Sequence, residues 1–459
     1  MSSSPSVTAD LERHLFLDDR LIAETHNAKL TVGTVAKHAG NPLFGEEQPW
    51  EARFDNLYAN VLYDQLHGYR CWYNPFIVDP QGSVTPRHER HKVTYKARPG
   101  ESGICYAVSQ DGIVWSKPDL DLVSFNGSTA NNLVLRGIHG AGIFKDQRDP
   151  KPERRYKMFY GGKWIKEWEP GIAVQFSEDG LHWSDAVACP QVEAAGDTHN
   201  SPLWVPQLEK YVAMTRIHRG EPFELHPDGQ RAVGRTESQD FVHWTAATEA
   251  LRGEPQNQTY AMLVFPTAGL YLALLMIIRL KEDRVHCELA WSPDTVDWHR
   301  VDPGTPLVPN SETEGDYDWG CVYGANAPIA TKESIWIYYG GSNGRHRSWR
   351  DSFLCLATLR PDGWAGYEPV NARKTAVVVT RPRACRGQVH LTADAAGGLV
   401  QINALDDDGT VLAEGQPIAE DVTDRRVQWA NPDQETACAG RSVRLSFRIQ
   451  RAKVYSVRV

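Results

Sequence analysis

The feature that most constrains this chain is a turn signature that returns along the first four-fifths of its length. SQDGIVW (109–115), SEDGLHW (177–183), SQDFVHW (238–244) and SPDTVDW (292–298) share the pattern S-x-D-x-x-x-W, and a looser copy, RPDGW, ends at Trp364. Successive tryptophans stand 68, 61, 54 and 66 residues apart, a length that suits one four-stranded antiparallel sheet with its loops. Each copy follows an apolar strand: ICYAV, GIAVQF, RAVGR, CELAW, FLCLATL. Asp folds back onto turn amides and Gly supplies positive φ, so the signature reads as a tight turn between two strands. The Trp is then placed to pack between neighbouring sheets.

Upstream of each turn lies a second repeated unit, an apolar strand, a polar turn and an aromatic strand: NVLYDQLHGYRCWYNP, GIFKDQRDPKPERRYKMFYGG, PLWVPQLEKYVAMTR, MLVFPTAGLYLALLM and APIATKESIWIYYGG. Each unit with its turn makes two hairpins. A lone hairpin is marginal in water, so the sheets must stack radially to bury their faces. The expected fold is all-β: a five-bladed β-propeller over residues 1–368, including an N-terminal strand, with outer turns centred near 111, 179, 240, 294 and 362. A generic β-sandwich with coincidental turns is the alternative, and two motif types recurring in the same order speak against it.

After Trp364 the texture changes. VRLSFRI (443–449) alternates polar and apolar residues, and LVQINALDDDGTVL reads as a hairpin with a DG turn. Residues 369–459 are expected to form a small β-sandwich packed against the propeller. Asp406, Asp407 and Asp408 read as a turn, because the spacing of a dedicated calcium loop is missing.

Composition narrows the partners. The formal net charge of −9 offers no electrostatic footprint for nucleic acid or an anionic membrane. Trp 15 and Tyr 17 against Met 5 suit strands and sugar-binding surfaces. The strongest apolar run, Leu270 to Ile278, is too short for a membrane span and reads as a buried strand. The N-terminal MSSSPSVTADLERH lacks the layout of a signal peptide, so a cytoplasmic location is expected. Eight cysteines without C-x-x-C pairing read as small buried hydrophobes.

In a propeller the innermost strands begin around a central channel, so polar residues just upstream of each first strand converge there. Asp55 stands six residues before Val61 and Asp197 six before Leu203, equivalent places in blades I and III. Blade V offers Glu314, Asp316 and Asp318, blade II His139, and blade IV Gln256 and Gln258. Glycoside cleavage needs one protonated carboxyl to assist the leaving oxygen and one carboxylate as nucleophile or water-activating base. Asp55, Asp197 and Asp318 are the catalytic candidates, each with the alternative of capping turn amides at a strand start. Trp50, Trp164 and Trp319 read as sugar platforms or as packing between blades. Arg53 and Arg216 read as partners of substrate hydroxyls or a carboxylate, or as groups that keep a channel acid ionised. His199 and His346 read as proton-transfer groups or as structural histidines. Glu51, His139, Asn200 and Gln258 complete the substrate-binding candidates. No histidine triplet has metal-ligand spacing, so neither a metal nor another cofactor is expected.

This layout resembles the five-bladed propeller glycosidases of glycoside hydrolase families 32 and 43, in which acids from blades I, II and III project into the channel. Family 32 also has a C-terminal β-sandwich. LFLDD (15–19), NPLF (41–44) with PWE (49–51), RYKMFY (155–160), GDT (196–198), YYGG (338–341) with His346, and the closing KVYSV resemble a family-32-like group of propeller-plus-sandwich proteins. The resemblance covers nearly the whole chain. The W-M-N-D-P-N-G, R-D-P and E-C runs of family 32 are absent from the equivalent places, and the R-D-P at Arg148–Pro150 falls in a turn away from the channel. The family 43 acids are only partly matched, because blade II supplies none. The resemblance therefore implies a glycoside hydrolase acting on a terminal or small sugar unit, without fructosidase or arabinosidase specificity.

By the same analogy Asp197 is the expected proton donor and Asp55 the base or nucleophile, their proximity driving one pKa up. A non-catalytic carbohydrate-binding propeller is the alternative, and a protein scaffold with a flat apolar face a third. Channel carboxyls about 5 to 9.5 Å apart favour hydrolysis; salt-bridged acids favour binding.

Overall fold

The computed structural model describes residues 13–96, 100–166, 169–221, 229–386 and 388–459. The described chain is all-β, with short 3-10 turns and one helical turn-and-a-half, Asp433–Cys438.

The apolar-turn-aromatic units form antiparallel meanders in chain order. Asn60–Asp64, Gly68–Tyr73 and Glu101–Ser109 pair in one sheet, extended by Pro75–Val78, Arg53–Phe54 and Leu133–Arg136. His139–Lys145, Tyr156–Lys166, Glu169–Ser177 and Val187–Ala188 make a second, and Ser201–Val205, Lys210–Arg219, Gln230–Ser238 and Thr248–Arg252 a third. Asn257–Thr267, Leu270–Arg279, Arg284–Ser292 and His299–Val301 follow. One parallel pairing, Val285 with Cys321, joins these to Cys321–Gly324, Ile335–Ser342 and Ser352–Leu359. The apolar run at 270–278 is a strand buried on both faces, which is why it shows no alternation.

The first four turn signatures share one hydrogen-bond pattern. Asp111 Oδ1 accepts from the amides of Ile113 and Val114, Ser109 Oγ accepts from Gly112 N, and Trp115 Nε1 donates to Gly112 O. The same set recurs at 177–183, 238–244 and 292–298. The residue after Asp has positive φ in all four, yet it is Gly only in the first two; Phe241 (φ 67) and Thr295 (φ 71) adopt it in the others. The Ser and Asp side chains hold that conformation against its steric cost. In the fifth copy Asp362 turns instead to Arg13, Thr392 and Ser456.

Each turn is held by the sheet before it. Trp72 Nε1 donates to Gly180 O, Arg154 to Asp240 O, and Arg235 to Thr295 Oγ1. The Phe265 ring packs 5.2 Å from Trp364, and Tyr338 OH donates to Gly112 O. The last contact returns to the first sheet, so the set closes on itself.

Two six-stranded sheets share a separate core that includes Phe16, Val378, Ile402, Phe447 and Val454. Arg13–Leu15 pairs with Lys453–Arg458, Ile22–His26 with Ala376–Thr380, and Ala28–Val32 with Ala365–Pro369. Strand pairing thus groups residues 13–32 with 365–459. Phe16 fixes the arrangement, its ring meeting Tyr367 and Phe447 edge-on at 6.4 and 5.0 Å. Asp406 forms a turn, its Oδ1 accepting from the amides of Asp408 and Thr410. All eight cysteines are buried, and none among the described residues forms a disulfide. Among the described residues no helix is long and apolar enough to cross a membrane.

Candidate active site

Two irregular segments just upstream of strands build the site. In the first, Leu57 and Tyr58 have positive φ (62 and 42), bending the chain between Asp55 and the strand at Asn60. In the second, the 196–200 loop lies directly on the start of the neighbouring sheet. Asn200 donates from its backbone and from Nδ2 to Gly140 O. A Cβ at Gly140, which also has positive φ, would stand 1.8 Å from Thr198 O. That close approach needs glycine, and it brings His139 Nε2 to 3.2 Å from Asp197 Oδ1.

Asp55 is clamped by two arginines. Arg53 Nη1 and Arg350 Nη2 both donate to its Oδ1, at 2.9 and 2.7 Å. Burial works to raise the Asp55 pKa, but Arg53 and Arg350, helped by His346 and His139, hold it well below the usual carboxylate range. Asp197 meets His139 through Oδ1 and Arg216 Nη1 through Oδ2, each at 3.2 Å. Its side chain is 66% exposed although protein crowds round it. That crowding raises its pKa, the His139 contact and Arg216 lower it, Asp55 raises it a little, and the balance stands at about 2. The expectation that one of these acids is pushed up is therefore overturned. They sense each other, but each has its own cations, and both are ionised at neutral pH.

A cluster of phenols and imidazoles surrounds them. Asn56 Nδ2 donates to Tyr58 OH (2.7 Å) and Tyr260 OH (2.9 Å). The Tyr58 ring lies 5.5 Å from His139 and 5.3 Å from His199. His346 packs on Tyr260 at 5.0 Å, and its Nδ1 is 3.0 Å from Tyr323 OH. Arg216 lies over Tyr260 and donates to its carbonyl at 2.7 Å. Burial lowers the His199 pKa to about 3; burial and then Arg350 put His346 well below its ordinary value. Both are neutral imidazoles at pH 7. Burial raises Tyr58 and Tyr323, so their hydroxyls stay protonated.

Of the residues expected from sequence, Asp55, Asp197, Arg53, Arg216, His139, His199 and His346 come together here. Others are committed elsewhere. Asp318 is fully buried, with Lys37 Nζ at 2.6 Å, Tyr339 OH at 2.9 Å and the Ser311 amide at 3.1 Å; it shares no contact with Asp55 or Asp197. Glu51 is buried and accepts from Tyr73 OH and Lys117 Nζ. Trp50 Nε1 donates to Asn132 Oδ1, and its ring meets Phe125. Asn200 spends its amide on backbone carbonyls, and Gln258 lies between Arg231 N and Pro255 O. Trp319 packs under Arg284 at 4.5 Å. The Trp164 side chain lies outside the described residues. Upstream of a strand the backbone has no fixed period, so side-chain direction was not legible there.

Asn56, Tyr58, Tyr260, Tyr323 and Arg350 belong to the cluster and were not singled out from sequence. Tyr58 lies in the same run as Asp55, and its proximity to the strand start was the available signal. Arg350, in RHRSWRD after YYGG, carried none. A surface concavity of 660 Å³ lies elsewhere, lined by Glu46, Thr85, Arg87, Arg90 and Phe125 among others.

No protein-family model and no curated protein sequence matches this chain. Solved structures do. A β-1,2-mannobiose phosphorylase from Listeria innocua, in complex with β-1,2-mannobiose, is 13% identical with a TM-score of 0.50, over 71% of this chain and 96% of its own. An N-acetylgalactosamine deacetylase from F. plautii, in complex with blood group B trisaccharide, is 13% identical with a TM-score of 0.48, over 71% and 95%. A glycosyl hydrolase from Bacteroides ovatus is 16% identical with a TM-score of 0.46, over 74% and 98%. At this identity the likeness to the Listeria enzyme is one of fold.

Proposed function

We propose that this chain is a five-bladed β-propeller with a β-sandwich completed by its N-terminal strands, and that it cleaves the glycosidic bond of a terminal or small sugar unit. The closed cycle of turn contacts supports the ring. The fold shared with a mannobiose phosphorylase supports a saccharide as substrate. The observation that carries the activity is the gathering of Asp55 and Asp197, from separate sheets, within electrostatic reach of one another, with His139 in contact with Asp197. Both arginine contacts to Asp55 fall on Oδ1, and among the described residues no hydrogen bond reaches Oδ2. An ionised carboxylate with one oxygen available suits a nucleophile or a water-activating base.

A screen of aryl glycosides, run with and without inorganic phosphate, tests the proposal and separates hydrolysis from phosphorolysis. Turnover of at least one glycoside, lost on the order of a hundredfold or more in Asp55→Asn, is the expected result. A non-catalytic carbohydrate-binding role is the second reading, favoured by the ion pairs on both carboxylates. It requires saccharide binding by calorimetry with no turnover in the screen.

A further inference from the structure

Resting on that reading, we infer that His139, held by Asp197, is the group that passes a proton to the departing glycosidic oxygen, in place of a second carboxylic acid. The cluster contains two carboxylates, and neither is placed to keep a proton. Asp55 shares one oxygen with two guanidiniums. Asp197 has a cation or imidazole on each oxygen, Arg216 on Oδ2 and His139 on Oδ1. A carboxyl proton is stabilised by apolar burial or by a second acid sharing it; here each acid has positive charge beside it instead.

His139 differs from the other two histidines of the cluster in what it touches. His199 is buried beneath Tyr58, with Nε2 on Asn60 Oδ1 at 3.4 Å. His346 is occupied by Tyr323 OH. The His139 side chain is 24% exposed, with the rings of Tyr58 and Phe76 beside it. The charged groups that face it are Asp197, in contact, and Asp55, within electrostatic reach; Arg216 acts through Asp197. An imidazole anchored to a carboxylate by one nitrogen has its orientation fixed, leaving the other nitrogen to work on substrate. Asp197 is then a positioning residue.

The step balances with water as the second reactant. Asp55 Oδ2 bonds to the anomeric carbon as the bond to the leaving oxygen breaks. The electron pair goes to that oxygen, which takes the proton from imidazolium Nδ1 of His139. Neutral His139 then removes a proton from water as its oxygen displaces Asp55, restoring both groups.

The test compares 2,4-dinitrophenyl and phenyl glycosides of the sugar found in the screen, because a good leaving group needs no proton. His139→Gln is expected to lose about a hundredfold or more in kcat/KM on the phenyl glycoside and less than about fivefold on the dinitrophenyl one. Asp197→Asn, which keeps the imidazole, should shift the same ratio by a smaller factor; it also serves if His139→Gln fails to fold. Equal losses on both leaving groups, or none, overturn the inference. A selective loss found in Tyr58→Phe instead moves the role to the phenol and overturns it as well. A wild-type protein inactive on every glycoside removes the reading above and this inference with it, whereas an active wild type with a leaving-group-insensitive His139→Gln overturns the inference alone.

Discussion

Arg350 reaches across 295 residues of sequence to donate from Nη2 to both the carboxylate and the backbone carbonyl of Asp55, at 2.7 and 2.9 Å. It also donates to Asn56 Oδ1 and to the carbonyl of His346. One buried guanidinium thus fixes the direction of Asp55, keeps it ionised, and ties the loop that carries His346 to the segment before the first sheet's inner strand. The arrangement is expensive to disturb, since each of those acceptors lies where water does not readily replace the donor.

Arg350→Met should therefore cost stability and activity together. Breaking a buried ion pair from one side costs about 3–5 kcal/mol, to be read as a lower denaturant midpoint. With Arg53 as its main remaining cation, Asp55 should protonate at higher pH, moving the acid limb of turnover upward. An unchanged midpoint and an unchanged acid limb would show that the clamp is incidental.

Asp318→Asn should behave differently. The carboxylate pairs with Lys37 and accepts from Tyr339 within the core, so the variant should lose roughly 3 kcal/mol while folded protein keeps its kcat. Thermal melts beside turnover at saturating substrate check this, and a loss of kcat at constant stability would return Asp318 to the chemistry.

The contrast between these residues marks what was legible in the sequence. The S-x-D-x-x-x-W turns were, because their hydrogen bonds are local: Ser and Asp cap amides two and three residues away. The placement of Asp55 and Asp197 was nearly so, since they stand five and four residues before the strands that begin at Asn60 and Ser201, close to the equal offsets expected. Glu51, four residues before Asp55, had equal claim on composition but faces Lys117 and Tyr73; direction in an irregular segment follows from tertiary contacts. Arg350 acts over hundreds of residues and no spacing announces it. The pairing of Arg13–Leu15 with the last strand was hidden for the same reason, since a short edge strand records its own pattern but not its partner.

Gly140→Ala should disable the site without touching a charged group. Its methyl would collide with Thr198 O, forcing the 196–200 loop outward and separating Asp197 from His139. We expect a loss on the order of a hundredfold in kcat/KM, the scale of misplacing a catalytic group by about an ångström. A crystal structure of the variant with the loop in place and normal turnover would refute the claim that this contact sets the geometry.

The pH dependence of stability should have two stages, both in the acid direction. His199 is neutral in the folded protein, its pKa lowered by burial from 6.5 to about 3, and His346 is lowered too. Between those values the unfolded chain binds protons that the native state refuses, so stability is complete above pH 6.5 and falls as pH drops. Each such histidine steepens the fall by up to about 1.4 kcal/mol per pH unit. The carboxylates act later: Asp197, shifted from 3.8 to about 2, and Asp55 contribute stability that is present above pH 3.8 and lost below it. Its exposure makes the Asp197 share small. Urea midpoints for wild type and His199→Gln at pH 7, 6, 5 and 4 separate the stages. The variant starts lower at pH 7 if its packing suffers, but its line should be flatter down to pH 4, whereas parallel lines would mean that His199 is protonated in the native state and that burial does not control it.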